Sequence, residues 1–197
     1  MRSPVRRRGR KINQPPSSWN IVLFAPQIPQ NTGNIARTCA ATGAHLHLIK
    51  PLGFSLENRW LRRAGLDYWP LVEVSVYDNL DEFFHQNSTG NFFYLTKYGS
   101  KSYAQIEFSG DVFLVFGQET YGLPLSLLEK NPERCYRIPM VEEARSLNLS
   151  NAVAIVLYEG LRQHNFAGLK ISRSLADMRK SHQIQEARKR SSRKPNQ

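Results

Sequence analysis

From Trp19 onward the chain alternates short apolar runs, rich in β-branched and aromatic residues, with segments of helical periodicity. The apolar runs are Asn20 to Ala25, Leu46 to Ile49, Val72 to Val76, Phe92 to Thr96, Val112 to Phe116 and Tyr136 to Ile138. Between them, helices are predicted to start near Thr32, Leu56, Asp78 and Pro124, and a long one spans about Ser150 to Gln163. This alternation predicts an α/β domain with a largely parallel sheet. The run VFLVF, Val112 to Phe116, is apolar on both faces, as expected where helices cover both sides of the sheet. Gly43 is placed to end the first helix, and Asp78 and Ser150 to cap the N-termini of later ones. The long helix is apolar round most of its circumference, through Ala152, Val153, Ile155, Val156, Leu157 and Leu161. It is therefore expected in the core or against a second subunit.

Composition narrows the class. The 197 residues suit one well-buried domain with tails, with boundaries expected at 1–18, 19–168 and 169–197. No stretch of 18 or more apolar residues occurs, and no apolar segment follows the charged N-terminus, so neither a membrane span nor a secretory signal is predicted. A cytoplasmic protein is expected. The Arg-rich leader would also suit an organellar targeting segment, although its prolines argue against an amphipathic helix there. Cys39 and Cys135 are too few and too distant in sequence for a disulfide framework, and both are expected as buried thiols. His45 and His47 alternate along an apolar run with no carboxylate or cysteine beside them, which favours a strand with two outward histidines over a metal site. No metal is expected.

The net charge is +11, and its distribution matters more than its size. Residues 1–19 carry six basic groups and no acid, and residues 170–197 carry nine against Asp177 and Glu186, so the tails hold +13 and residues 20–169 hold −2. A broad electrostatic grip on nucleic-acid phosphates would come from the tails, with a few placed arginines in the core. Solubilising tails are the alternative. Arg59, Arg62 and Arg63 are spaced to share a helical face and are the core candidates for phosphate contact.

In open α/β sheets ligands bind beyond the carboxyl ends of the strands, and three segments there carry polar and small residues. After the first strand, Asn31, Gly33 and Arg37 fall in an N-x-G-x-x-x-R pattern. An arginine at this place reaches an RNA phosphate or a reacting ribose, or is an ordinary helix-surface residue. After the most apolar strand comes FGQETYGLP, where Gly117 and Gly122 bracket Glu119 and Pro124 can open a helix. Small residues there would let a flat ligand lie against bare backbone, although a plain tight turn has the same signature. Neither a G-x-G-x-x-G fingerprint nor a P-loop occurs. The third segment, IPMVEEARSLNLSNA, offers Ser146, Asn148, Ser150 and Asn151, more than capping alone requires.

Taken together and in order, these three segments resemble the three motifs of the SPOUT (SpoU–TrmD) RNA methyltransferases, over Asn20 to about Gln163. The segment Leu61 to Trp69 and the lack of a separate RNA-binding domain resemble the TrmL branch, which methylates the wobble ribose of tRNA. The resemblance implies a C-terminal deep trefoil knot, a homodimer and S-adenosyl-L-methionine as cofactor. It implies a cofactor site formed by Leu95, Gly117, Ile138, Ser146 and Leu147, and makes Arg37 the catalytic arginine, with Asn31, Glu119, Ser146 and Asn148 shaping the site. The expected reaction is 2'-O-methylation at position 34, cytidine or modified uridine, of a tRNA such as tRNA-Leu. Another tRNA position, ribosomal RNA, and a non-catalytic RNA-binding module are the alternatives. Tyr121 stands where relatives often carry a basic or small residue, and would stack on a nucleobase or sit as a plain surface tyrosine.

Overall fold

A computed structural model describes residues 15–56, 71–172, 174–179 and 183–184. The expected helix near Leu56, the Leu61 to Trp69 segment, Arg59, Arg62 and Arg63, and most of both tails lie outside the described residues. The chain divides into two compact units, Met1–Asn165 and Phe166–Gln197.

The first unit is built on a seven-stranded sheet. In chain order its elements are β1 (Ser18–Phe24), α1 (Pro29–Thr42), β2 (His45–Ile49), β3 (Val74–Tyr77), α2 (Leu80–Gln86), β4 (Asn91–Leu95) and β5 (Lys101–Ser102). Then follow β6 (Asp111–Phe116), α3 (Leu125–Glu129), β7 (Cys135–Arg137) and α4 (Leu149–Gln163). The strand order is β3-β2-β1-β6-β4-β7-β5, and every pairing is parallel. The α/β class and the parallel sheet are thus as the apolar pattern predicts.

Strand alternation gives the sheet two apolar faces, and helices cover both. On one face Val22, Phe113, Val115 and Tyr94 pack with Phe83 of α2 and Leu128 of α3. Phe83 is wholly buried among aromatic rings, with Tyr77, Phe92 and Phe113 centred 5.2 to 5.9 Å away, mostly edge to face. Burying such a side chain contributes roughly 2–3 kcal/mol. On the other face α4 packs against α1 and β6. Its Val153, Val156, Leu157 and Leu161 are buried, whereas Ile155 and Tyr158 on the outer side are 37% and 44% exposed. The long helix is thus in the core along one side, with Ile155 and Tyr158 left partly exposed on the other.

The histidine expectation needs correction. His47 is buried, not outward: its Nδ1 accepts from the Tyr77 hydroxyl at 2.9 Å and its Nε2 donates to Asn20 Oδ1 at 3.1 Å. Its alternate position on β2 faces α2, so what looks like the polar side of a strand is a covered face. Burial, reinforced by neighbouring His45, lowers its pKa to about 3, so the ring is held neutral. The thiols are buried as expected, and burial pushes Cys39 up to about 12.

Boundaries and caps also shift. α1 begins at Pro29, earlier than Thr32, because Pro is favourable in the first turn. Gly43 ends it in the left-handed conformation, φ 74°, as predicted. Asn79, not Asp78, caps α2 through Glu82 N–H, and Asn148, not Ser150, caps α4. The two-residue β5 carries too little pattern to be read from sequence.

The far edge of the sheet is unusual. β4 and β5 are consecutive in the chain but flank β7, with Leu95 and Lys101 both paired to Tyr136. The link between them therefore crosses one face of β7. Thr96 N–H bonds to the Tyr136 carbonyl at 2.9 Å, and a Cβ on Gly99 would collide with the Tyr136–Arg137 backbone. Only glycine permits that crossing.

Within the second unit, Ser174 and Asp177 exchange hydrogen bonds at the start of a helical turn, and Lys170 pairs with Asp177 at 3.8 Å. Among its described residues Ile171, Leu175 and Met178 are exposed.

Candidate functional site at the carboxyl edge of the sheet

Because all strands run the same way, their carboxyl ends lie along one edge. Leu95 pairs with Phe116 on one side and with Tyr136 on the other. Leu95, Gly117 and Ile138 thus leave neighbouring strands within two strand spacings, roughly 10 Å. The three turns expected to form one cradle do start together.

The residues of the three motifs are tied by hydrogen bonds. Glu119 Oε1 accepts from Asn31 Nδ2 at 2.9 Å and from Ile28 N–H at 3.2 Å, and Oε2 accepts from Gln27 N–H at 2.9 Å. Asn148 Nδ2 donates to Asn31 Oδ1 at 2.9 Å, while Asn148 Oδ1 accepts from the amides of Ser150 and Asn151 and from the Ser150 hydroxyl. One buried asparagine, Asn31, therefore joins the turn after β6 to the start of α4.

The placement of Glu119 has a local cause. Ile28 occupies the N-cap of α1 and has no capping side chain. A carboxylate from 91 residues away supplies the missing acceptor, where the positive end of the helix dipole favours it. Ala25, held at φ 49°, turns the chain from β1 toward these amides, a left-handed conformation that costs an alanine about 1 kcal/mol. Sequence reasoning missed the Gln27 and Ile28 amides, since no residue type marks a backbone donor.

The packing of its own turn requires glycine at position 117. A Cβ there would overlap the Gly122 carbonyl and the Leu123 amide of the same chain, so the space beside its Cα is already filled. The turn closes through the bridge Gln118 to Gly122, with Gly122 at φ 74°.

Leu95 and Ile138 are half-buried on this edge, while Ser146 and Leu147 are exposed in the loop before α4. Half-buried apolar side chains with irregular backbone beside them suit a flat heterocycle, with backbone groups to meet its polar rim. Arg37 lies apart. It is exposed on α1, about 9 Å along the axis from Asn31 and roughly 120° round it. The structure thus brings together Asn31, Glu119 and Asn148, sets Leu95, Gly117 and Ile138 side by side, and leaves Arg37 on an outer face. Among the described residues no group of three or more His, Cys, Asp or Glu is disposed to hold a metal ion. No described helix is long and apolar enough to cross a membrane.

An all-parallel α/β sheet with its polar residues gathered at the carboxyl edge defines a ligand-binding α/β protein. The SpoU rRNA Methylase family profile matches residues 18–158, and the chain belongs to that family. A protein of Geobacillus stearothermophilus is 58% identical over 153 residues, which cover 76% of this chain and 98% of that protein. The tRNA (cytidine(34)-2'-O)-methyltransferase of Methylovorus glucosotrophus is 51% identical over 152 residues, 76% of this chain and 98% of that one. A solved structure described as giving insight into 2'-OH methylation of C/U34 on tRNA is 43% identical. It superposes with a TM-score of 0.71, covering 75% of this chain and 97% of that chain.

Proposed function

We propose that this protein methylates the ribose 2'-hydroxyl of nucleotide 34, the wobble position, in tRNA, with S-adenosyl-L-methionine as donor. The observation that carries the reading is the hydrogen-bonded series Glu119–Asn31–Asn148, which unites all three motifs at the edge where β4, β6 and β7 end. The relative from Methylovorus glucosotrophus supports the position and the reaction. S-adenosylmethionine is the methyl donor of the family.

In this reading Leu95, Gly117, Ile138, Ser146 and Leu147 hold the donor, through apolar contact and backbone groups. When bound, the donor supplies an electrophilic methyl group on a sulfonium, so the protein must align the hydroxyl and ease loss of its proton. Arg37 meets the ribose or its phosphate. A guanidinium keeps its charge at any working pH, so its part is positioning and electrostatic assistance. Asn31, Glu119 and Asn148 act as positioning residues that fix the three turns.

Arg37 faces outward on its own α1, which supports a site completed by a second copy of the chain. The exposed Ile155 and Tyr158 on α4, with Ile28 and Leu147 nearby in sequence to the site segments, support a homodimer. The crossing of β7 by the Thr96–Ser100 link supports the trefoil threading that the family resemblance implies. A cytoplasmic location, alongside tRNA, belongs to the same reading. Mass-spectrometric mapping of 2'-O-methyl nucleotides in tRNA, from cells with and without this protein, tests it. Loss of the mark at position 34 alone is expected, and loss elsewhere, or no loss, overturns it.

A further inference from the structure

Tyr98 and Tyr121 are 75% and 83% exposed, yet both line the same concavity, a cleft of about 470 Å³. Its base is apolar, made by Leu123 and Leu128, which are almost completely buried, with Phe24 beside them. Scattered exposed tyrosines need no explanation, but two on one apolar cleft form a surface that folding alone does not require. Among the described residues, Gln118 adds the one side-chain amide to the lining and no carboxylate lines it. Glu119, the acid of the same turn, is directed instead into its bonds with Gln27, Ile28 and Asn31. At the rim the Lys97 ammonium lies 5.0 Å from the centre of the Tyr98 ring.

We propose that Tyr98 and Tyr121 form a stacking site for one unpaired nucleobase of the RNA substrate, with Gln118 placed to read its edge and Lys97 to meet its phosphate. The inference rests on the reading that the substrate is an RNA loop, and extends it to the residues that seat the RNA. Unpaired loop bases can be splayed out and stacked on aromatic side chains, and every base has a face that stacks. The cleft has room for a single nucleotide and its aromatic walls belong to loops, where binding residues concentrate. The Lys97 ammonium at the rim, with no acid among the described lining residues, matches the phosphate that accompanies each base. None of the residues proposed to hold the donor, Leu95, Gly117, Ile138, Ser146 and Leu147, is among those that line this cleft.

The test measures equilibrium binding of a labelled anticodon stem–loop RNA, and separately of S-adenosylmethionine, by the full chain and by Tyr121→Ala, Tyr98→Ala and Tyr121→Phe. Each alanine is expected to weaken RNA binding by roughly 5- to 100-fold, the range of a lost base–aromatic stack. Tyr121→Phe should stay within about twofold of the parent, and donor affinity should hold in all three. Unchanged RNA affinity in both alanine variants overturns the proposal. So does a loss that falls on S-adenosylmethionine, which would make the cleft part of the donor site. These readouts are independent of which nucleotide is methylated, so the position-34 assignment stands or falls separately in the mapping experiment.

Discussion

The side-chain amide of Asn31 donates to Glu119 Oε1 and its oxygen accepts from Asn148 Nδ2, each at 2.9 Å. Both amide functions are thus used, and the residue is only 5% exposed. Removing it leaves a carboxylate and an amide without their partner. Asn31→Ala should lower unfolding stability by about 1–3 kcal/mol, read from denaturant midpoints. Asn31→Asp should be worse, because it sets a second carboxylate against Glu119. An aspartate variant as stable as the parent would contradict the network.

Arg37 is the group proposed to meet the reacting ribose or its phosphate. Arg37→Ala should cut the methylation rate at least about 100-fold, the scale of losing one electrostatic group at a reacting centre. Binding of S-adenosylmethionine, followed by calorimetry, should change less than twofold, since the residues proposed to hold the donor lie on other elements. Near-normal turnover would remove Arg37 from the mechanism.

Protonation of His47 is suppressed to about pH 3 in the folded chain, whereas a free histidine takes its proton near 6.5. Between these values the unfolded chain binds more protons, so stability from this site is complete above pH 6.5 and is lost as the pH falls toward 3. His47→Gln should be less stable at pH 7, because the bonds to Tyr77 and Asn20 are disturbed, but should lose less on acidification. Urea midpoints between pH 7 and 4 provide the comparison, and parallel slopes for the two proteins would refute it.

Residues 170–197 hold nine basic groups against two acids. Deleting them should weaken tRNA binding and flatten its dependence on salt, because fewer counterions are released. The measurement is the slope of log affinity against log salt. An unchanged slope would assign these residues another role.

Much of the architecture was legible because buried parallel strands are written as near-continuous apolar runs, as in Val112–Phe116. The three motif segments were legible because they follow those runs directly. What sequence could not convey were relationships between distant residues. Glu119 is bonded to Asn31 across 88 positions, and nothing local marks a carboxylate as the acceptor for a remote helix end. His47 was misread because alternation identifies a face but not what covers it; Phe83, 36 residues on, does the covering. Gly117 and Gly122 were recognisable as special, but the close return of the chain on Gly117 was not visible in the sequence. Tyr98 carried no signal at all until the fold placed it on the same cleft as Tyr121.

The position of β7 between two strands that precede it by more than 30 residues has a consequence for synthesis. In a chain emerging from the ribosome, β5 has no strand to pair with until β7 follows it, since β7 is its one sheet neighbour among the described residues. Until residue 137 has left the exit tunnel, β7 cannot pair and the carboxyl edge where β4, β6 and β7 end is incomplete. Assembly of the binding edge is therefore a late event, tied to the last third of translation, and a product that stops short of β7 has no path to activity.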